Sequence, residues 1–127
     1  MATIDITKDT LVETIEGNDI VLIDFWAEWC GPCRSFAPTY EKVSEQHPDI
    51  TFAKVDTEDQ QEVAQNFGIR SIPTLVAFRE NIGVFSQPGA LPEEALEHLI
   101  AQIEDLDMDA IRKEIAEEQD QDTPSRR

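Results

Sequence analysis

Cations are scarce in this sequence: 10 lysines and arginines stand against 27 aspartates and glutamates, for a formal net charge of −17. A surface this negative repels phosphate backbones and anionic lipid headgroups, which argues against nucleic-acid binding and against a membrane partner. The same charge keeps a small protein soluble and can steer it toward basic partners. Long apolar runs are missing as well. No stretch approaches the roughly 20 residues needed to cross a bilayer. The opening Met1-Ala2-Thr3-Ile4-Asp5-Ile6 lacks both the basic start and the apolar run of a secretory leader. A cytoplasmic address is therefore expected. Histidine and cysteine are rare, with two of each. A zinc centre needs four ligands, and His47 and His98 show no finger-like spacing to the cysteines, so no metal and no bound cofactor are expected. Both histidines fall on polar helical positions and are read as surface residues. There is no internal repeat.

What is present suffices for one domain. The 127 residues are 40% hydrophobic, enough for a single core at this length. Residues 20–25, Ile-Val-Leu-Ile-Asp-Phe, are apolar at nearly every position and read as an inner strand covered on both faces. Residues 50–55, 74–79 and 82–87 read as further strands, with Glu80-Asn81 as a tight hairpin turn because Asn tolerates positive φ. Residues 2–6 form a weaker initial strand. Between them the sequence predicts helices over 8–16 capped by Thr7, over about 31–47 with a kink at Pro38, and over about 58–68 behind a Thr57/Gln60 capping box. A last helix over 92–104, with Pro92 in its first turn, places Leu96, Leu99, Ile100 and Ile103 on one stripe. The order β-α-β-α-β-α-β-β-α implies an α/β fold with a mixed sheet and helices on both faces.

After residue 104 the composition shifts: residues 104–127 hold nine acidic and four basic residues. The expected division is a domain over 1–104 and an acidic extension over 105–127. Asp107 is a candidate N-cap, Leu106 and Ile111 a candidate hydrophobic staple, and Met108, Ile111 and Ile115 share a helical face. A short amphipathic helix to about residue 119 is expected, then a disordered tail. The apolar stripe fits three outcomes: docking on the domain, meeting a partner, or fraying.

The two cysteines, Cys30 and Cys33, stand three positions apart. A structural disulfide would usually close a longer loop, because longer closures constrain the unfolded chain more. In a cytosolic chain with βαβ patterning, Cys-x-x-Cys reads as a redox pair. Straddling a helix start, the first thiol meets unsatisfied backbone N–H groups and the positive end of the helix dipole, which favour its thiolate. Cys30 is thus the expected nucleophile. Cys33, one turn further in, can attack the mixed disulfide intramolecularly. Gly31 lets a substrate chain approach closely, and Pro32 sets the φ of the first turn. Neither carries a charge that would stabilise the thiolate further, so the pair should act as a reductant.

Asp24 interrupts the apolar inner strand. Buried, it would have a raised pKa suited to passing a proton to Cys33, with Lys54 on the neighbouring strand moderating the shift. At the strand's end it would simply reach water, and the pattern alone does not choose. Trp26 is read as a packing residue and Trp29, directly before Cys30, as bordering the substrate surface. Pro73 begins a strand, and a lone X-Pro does not assign a cis bond.

Taken together, the segments Asp24-Phe25-Trp26-Ala27-Glu28-Trp29-Cys30-Gly31-Pro32-Cys33, Phe67-Gly68-Ile69-Arg70-Ser71-Ile72-Pro73-Thr74 and Gly89-Ala90-Leu91 resemble the thioredoxin family over roughly residues 3–104. The resemblance implies a thioredoxin fold: a five-stranded mixed sheet of order β1-β3-β2-β4-β5 flanked by four helices, here with a C-terminal helical extension. It implies reduction of protein disulfides, with Cys30 as nucleophile, Cys33 as resolving cysteine, Asp24 as buried acid/base and Lys54 beside it. Pro73 would match the cis-proline and Ile72 the residue whose backbone pairs with a bound chain; Trp29, Gly31, Pro32 and Gly89 would border that chain. Implied partners are disulfide-containing client proteins and an NADPH-dependent thioredoxin reductase, the protein itself being a monomer. Ser71, Asn81, Pro88 and Arg34 depart from the common pattern, and Ser71 and Pro88 bear on client choice. The competing expectations are a partner-binding or chaperone-like module on the same fold, and a disulfide oxidant or isomerase.

Overall fold

The computed structural model describes residues 2–121. Along them run β1 (Thr3–Asp5), α1 (Leu11–Glu16), β2 (Ile20–Trp26), α2 (Gly31–Gln46), β3 (Thr51–Asp56), α3 (Gln61–Asn66), β4 (Thr74–Arg79), β5 (Ile82–Pro88), α4 (Glu93–Glu104) and α5 (Met108–Gln121). The strands form one sheet of order β1-β3-β2-β4-β5. β1, β3 and β2 run parallel, while β4 and β5 are antiparallel to their neighbours. Both the topology and the four flanking helices plus a helical extension agree with the expectation.

The apolar run of β2 explains its central place. Side chains alternate across a pleated strand, so Ile20 and Leu22 enter the core under α2 and α4, and Val21, Ile23 and Phe25 enter the one under α1 and α3. Every residue from Ile20 to Phe25 is buried. The α4 stripe of Leu96, Leu99, Ile100 and Ile103 is buried on the first face, each side chain contributing about 1.5–3 kcal/mol. Leu96→Ala, at a fully enclosed position, should cost about 2–5 kcal/mol.

Local starts and stops depart from the sequence reading in three places. Pro92 is not in the first turn of α4 but is its N-cap, in extended backbone at φ −61° and ψ 157°. Thr7 does not cap a helix at residue 8. Its hydroxyl accepts from the Asp9 N–H at 3.3 Å and its own N–H donates to Thr10 Oγ1 at 3.0 Å, closing a turn that delays α1 to Leu11. Short hydroxyl side chains compete in this way with helical bonds. Nor do Thr57 and Gln60 form a capping box. Thr57 Oγ1 donates instead to the Trp26 carbonyl at 3.0 Å, at the end of β2, where the Thr57 N–H also donates at 2.8 Å. Asp56 Oδ1 takes the Glu58 N–H at 2.9 Å, and α3 begins at Gln61. Its end is as expected: Gly68 adopts φ 67°, the left-handed stop that suits glycine. The Glu80-Asn81 turn has positive φ at both residues, 52° and 68°, the type I′ pattern of a two-residue hairpin.

His47 is also corrected. It is half-buried, with Nε2 2.6 Å from Glu97 Oε1, joining the end of α2 to α4. The helix pair brings the two side chains together across 50 positions, which helical spacing alone does not reveal. His98 is exposed as expected.

The extension lies against the domain. Asp107 Oδ1 accepts from the Ala110 N–H at 3.1 Å, capping α5. Met108 is buried, and Leu106, Ile111 and Ile115 are half-buried. At the hairpin end, Arg79 Nη1 donates to the carbonyls of Ile103 (2.8 Å), Glu104 (3.0 Å) and Leu106 (2.9 Å), tying the end of α4 and the turn into α5 to the sheet. Arg112 of α5 pairs with Glu80 of the same hairpin. Of the tail expected beyond residue 119, residues 122–127 lie outside the described residues.

Candidate active site

The loop after β2 delivers Cys30 to the N-cap of α2, in extended backbone at φ −87° and ψ 112°. Pro32 occupies the first turn, where its missing N–H costs no helical bond. The Cys33 N–H donates to Cys30 Sγ at 3.2 Å, so the sulfur takes the place of a capping oxygen. Cys30 and Cys33 are joined by a disulfide with 5.2 Å between Cα atoms. Both sulfur-bearing residues are nearly enclosed, at 4% and 2% exposure. Only a narrow edge of the pair is open to solvent.

Around that edge lie the residues expected to meet a substrate. Trp29 is 66% exposed. A Cβ built on Gly31 would meet nothing within 4 Å, so the space above it is open to an approaching chain. The Ile72–Pro73 peptide is cis, and the Ile72 carbonyl oxygen lies 3.6 Å from Cys30 Sγ. Gly89, at φ 104°, donates its N–H to the Pro73 carbonyl at 2.7 Å. That left-handed backbone favours glycine and holds the β5 loop beside the proline. A groove lined by Trp29, Thr57, Ala64, Ile69, Arg70 and Ser71 runs up to Ile72.

On the α2 face of the sheet the chemistry changes. Asp24 shares the α2 face of β2 with Leu22 and is 1% exposed, with neither carboxylate oxygen hydrogen-bonded. It is the buried carboxyl of the two alternatives, not the solvated one. Burial pushes its pKa from 3.8 up to about 7, against a smaller downward pull from the Lys54 charge. Lys54 stands directly opposite it in the β2–β3 register, and its Nζ lies 4.8 Å from the centre of the Trp26 ring. Among the described residues no group of three or more His, Cys, Asp or Glu side chains is arranged to hold a metal.

Two participants were not evident from the sequence. Tyr40, fully enclosed on α2, sets its hydroxyl 3.0 Å from the Leu22 carbonyl and 2.9 Å from that of Ala53, fixing the helix to the sheet. The spacing of Cys33, Phe36, Tyr40 and Val43 at i, i+3, i+7 and i+10 is the signal that places it on the buried stripe. Trp26, read only as packing, also carries the Lys54 contact; no pattern along the chain marks such a pair.

The chain matches the family model described as Thioredoxin over residues 2–102. It is 58% identical over 120 residues to a provisionally named thioredoxin 2 of Streptomyces coelicolor, covering 94% of this chain and 90% of that protein. An alignment of that length takes in residues of the extension. A thioredoxin of Alicyclobacillus acidocaldarius is 42% identical over 103 residues, covering 80% of this chain and 98% of the relative. Among solved structures, a thioredoxin variant from Halobacterium salinarum superposes with a TM-score of 0.76 at 36% identity, covering 82% of this chain and 92% of that one.

Proposed function

Since the chain belongs to the thioredoxin family, we propose for it the dithiol cycle that follows, in which each site residue has a separate task. The family and the Cys30–Cys33 pair make the protein a thiol–disulfide oxidoreductase, a protein-disulfide reductase acting on disulfide-containing proteins. In the reduced form the Cys30 thiolate, favoured by the α2 N-terminus, attacks one sulfur of a client disulfide. The other client sulfur departs and takes up a proton. Asp24 then accepts the Cys33 proton, and Cys33 attacks Cys30 Sγ. The second client sulfur leaves as a thiol, and the Cys30–Cys33 disulfide closes. Two electrons pass from the cysteine pair to the client. An NADPH-dependent thioredoxin reductase returns them.

In this reading the Ile72 backbone and Pro73 form the ledge on which the client chain lies, with Trp29, Gly31, Pro32 and Gly89 along its edges. Lys54 moderates the charge of Asp24. The protein works as a monomer in the cytoplasm, and the described part of the 105–127 extension, to residue 121, braces the domain over 1–104 without taking part in the exchange. The observation that carries the assignment of order is the capping geometry, in which Cys30, not Cys33, receives the N–H of the helix start. Insulin reduction by the parent, Cys30→Ser and Cys33→Ser tests it. Cys33→Ser should lose turnover yet accumulate a mixed disulfide, and Cys30→Ser should form none. A parent protein without insulin turnover, or a Cys30→Ser variant that traps clients, would sink the assignment.

A further inference from the structure

Asp24 and Lys54 are paired in register on adjacent parallel strands, so both side chains leave the sheet on the face covered by α2. In so enclosed a place an ammonium gains most by closing on the carboxylate and bonding to it. Here it does not: both Asp24 oxygens are without a hydrogen-bond partner. The Lys54 ammonium lies instead 4.8 Å from the centre of the Trp26 ring, within the roughly 6 Å over which an aromatic face holds a cation. Trp26 follows Asp24 by two residues on β2 and so shares its face. Its indole Nε1 is buried with no hydrogen-bond partner among the described residues. The ring is therefore set by its contacts, with the Ala27, Cys30 and Cys33 cluster and with Lys54.

We propose that Trp26 is a positioning residue for the Asp24–Cys33 proton relay, its ring face holding the Lys54 ammonium off the carboxyl group opposite. The proposal rests on the reading of Asp24 as the relay group. The groups that meet Asp24 leave Lys54 as the one adjustable charge. β4 presents Leu75 opposite it, which carries no charge. α2 brings Tyr40 and Cys33 to that face; burial and the Asp24 charge push the Tyr40 hydroxyl well above its usual 10, so it stays protonated. Cys33 is bonded to Cys30 in the oxidised form. On its other side Lys54 has Asp5 of β1 as register partner, a charge that stays the same throughout; how far Lys54 draws down the proton affinity of Asp24 then varies with how firmly the ring retains it.

The test uses the full chain in its oxidised form. In a Trp29→Phe background Trp26 is the sole tryptophan, and replacing it biosynthetically with 5-fluoro- and then more heavily fluorinated tryptophan weakens the π face while keeping the ring's shape. The Asp24 carboxyl is titrated by carbon-13 NMR. Its midpoint should fall stepwise with fluorination, by about half a unit to one unit at the end of the series. In the same series on Lys54→Met the midpoint should not move. A midpoint indifferent to fluorine with Lys54 present, or an equal shift without it, overturns the proposal. If Asp24→Asn reduces insulin at the parental rate across pH, the relay reading itself fails and takes this proposal with it. A flat fluorine series beside a pH-dependent Asp24→Asn defect overturns the role of Trp26 alone.

Discussion

At one end of β2, Asp24 and Trp26 keep buried polar atoms with no hydrogen-bond partner among the described residues; at the other, beside Ile20, Arg79 leaves its Nε without one too but places one guanidinium nitrogen against three carbonyls. The first arrangement costs folding free energy, because a buried carboxyl without a partner gives up its hydration. The second recovers some of it by satisfying the exposed end of α4. The same seven-residue strand thus joins a region kept reactive to a region kept stable. The cost at the Asp24 end is also the source of a proton affinity near neutrality.

The sharpest way to break this contrast is at the cysteines. Cys30→Ser or Cys33→Ser should bring insulin reduction to background while leaving urea unfolding of the Arg79 end intact. Next in size is Asp24→Asn. Folded Asp24 titrates at about 7 and unfolded Asp24 near 3.8, so the folded state binds the proton more tightly. Its stability falls as pH rises from about 4 to about 7, and the full cost is present above that. Asn removes the charge, so urea unfolding at pH 8 should show a gain of up to about 4 kcal/mol, and at pH 3 almost none. The same variant should slow release of the mixed disulfide by about 100-fold near neutrality in single-turnover measurements.

Arg79→Ala acts at the other end and in the other direction. Losing charge-assisted bonds to three carbonyls should lower stability by about 2–3 kcal/mol in urea, with exchange rates of the folded fraction unchanged. Smallest is removal of residues 108–127, which spares all three Arg79 acceptors and exposes mainly the surface that Met108 covers. A loss of about 1–2 kcal/mol is expected, read as faster amide exchange over 92–104. Unchanged exchange there would mean that the extension does not brace α4.

Much of the fold was legible in the sequence because its elements have strong periods: the unbroken apolar run of β2, the α4 stripe, and the Glu80-Asn81 turn between two strands. The reactive pair was legible because cysteine is so rare here. What escaped was decided by groups far apart along the chain. Thr57 was drawn to the carbonyl of Trp26, 31 residues away, and His47 to Glu97 across 50. The burial of Asp24 had two outcomes from pattern alone, because a strand's end is set by the loop and helix that cover it. Arg79 gave no signal at all: one arginine closing a strand looks like any other until α4 arrives.

That late arrival orders events during synthesis. The three carbonyls that receive Arg79 lie 24, 25 and 27 residues further along. At about 5–20 residues per second, a ribosome takes roughly 1–5 seconds to supply them. Until then Arg79 faces Glu80, 4.0 Å from its Nε, without the three carbonyls. The cysteine pair is thus made well before the carbonyls that fasten the far corner of the sheet.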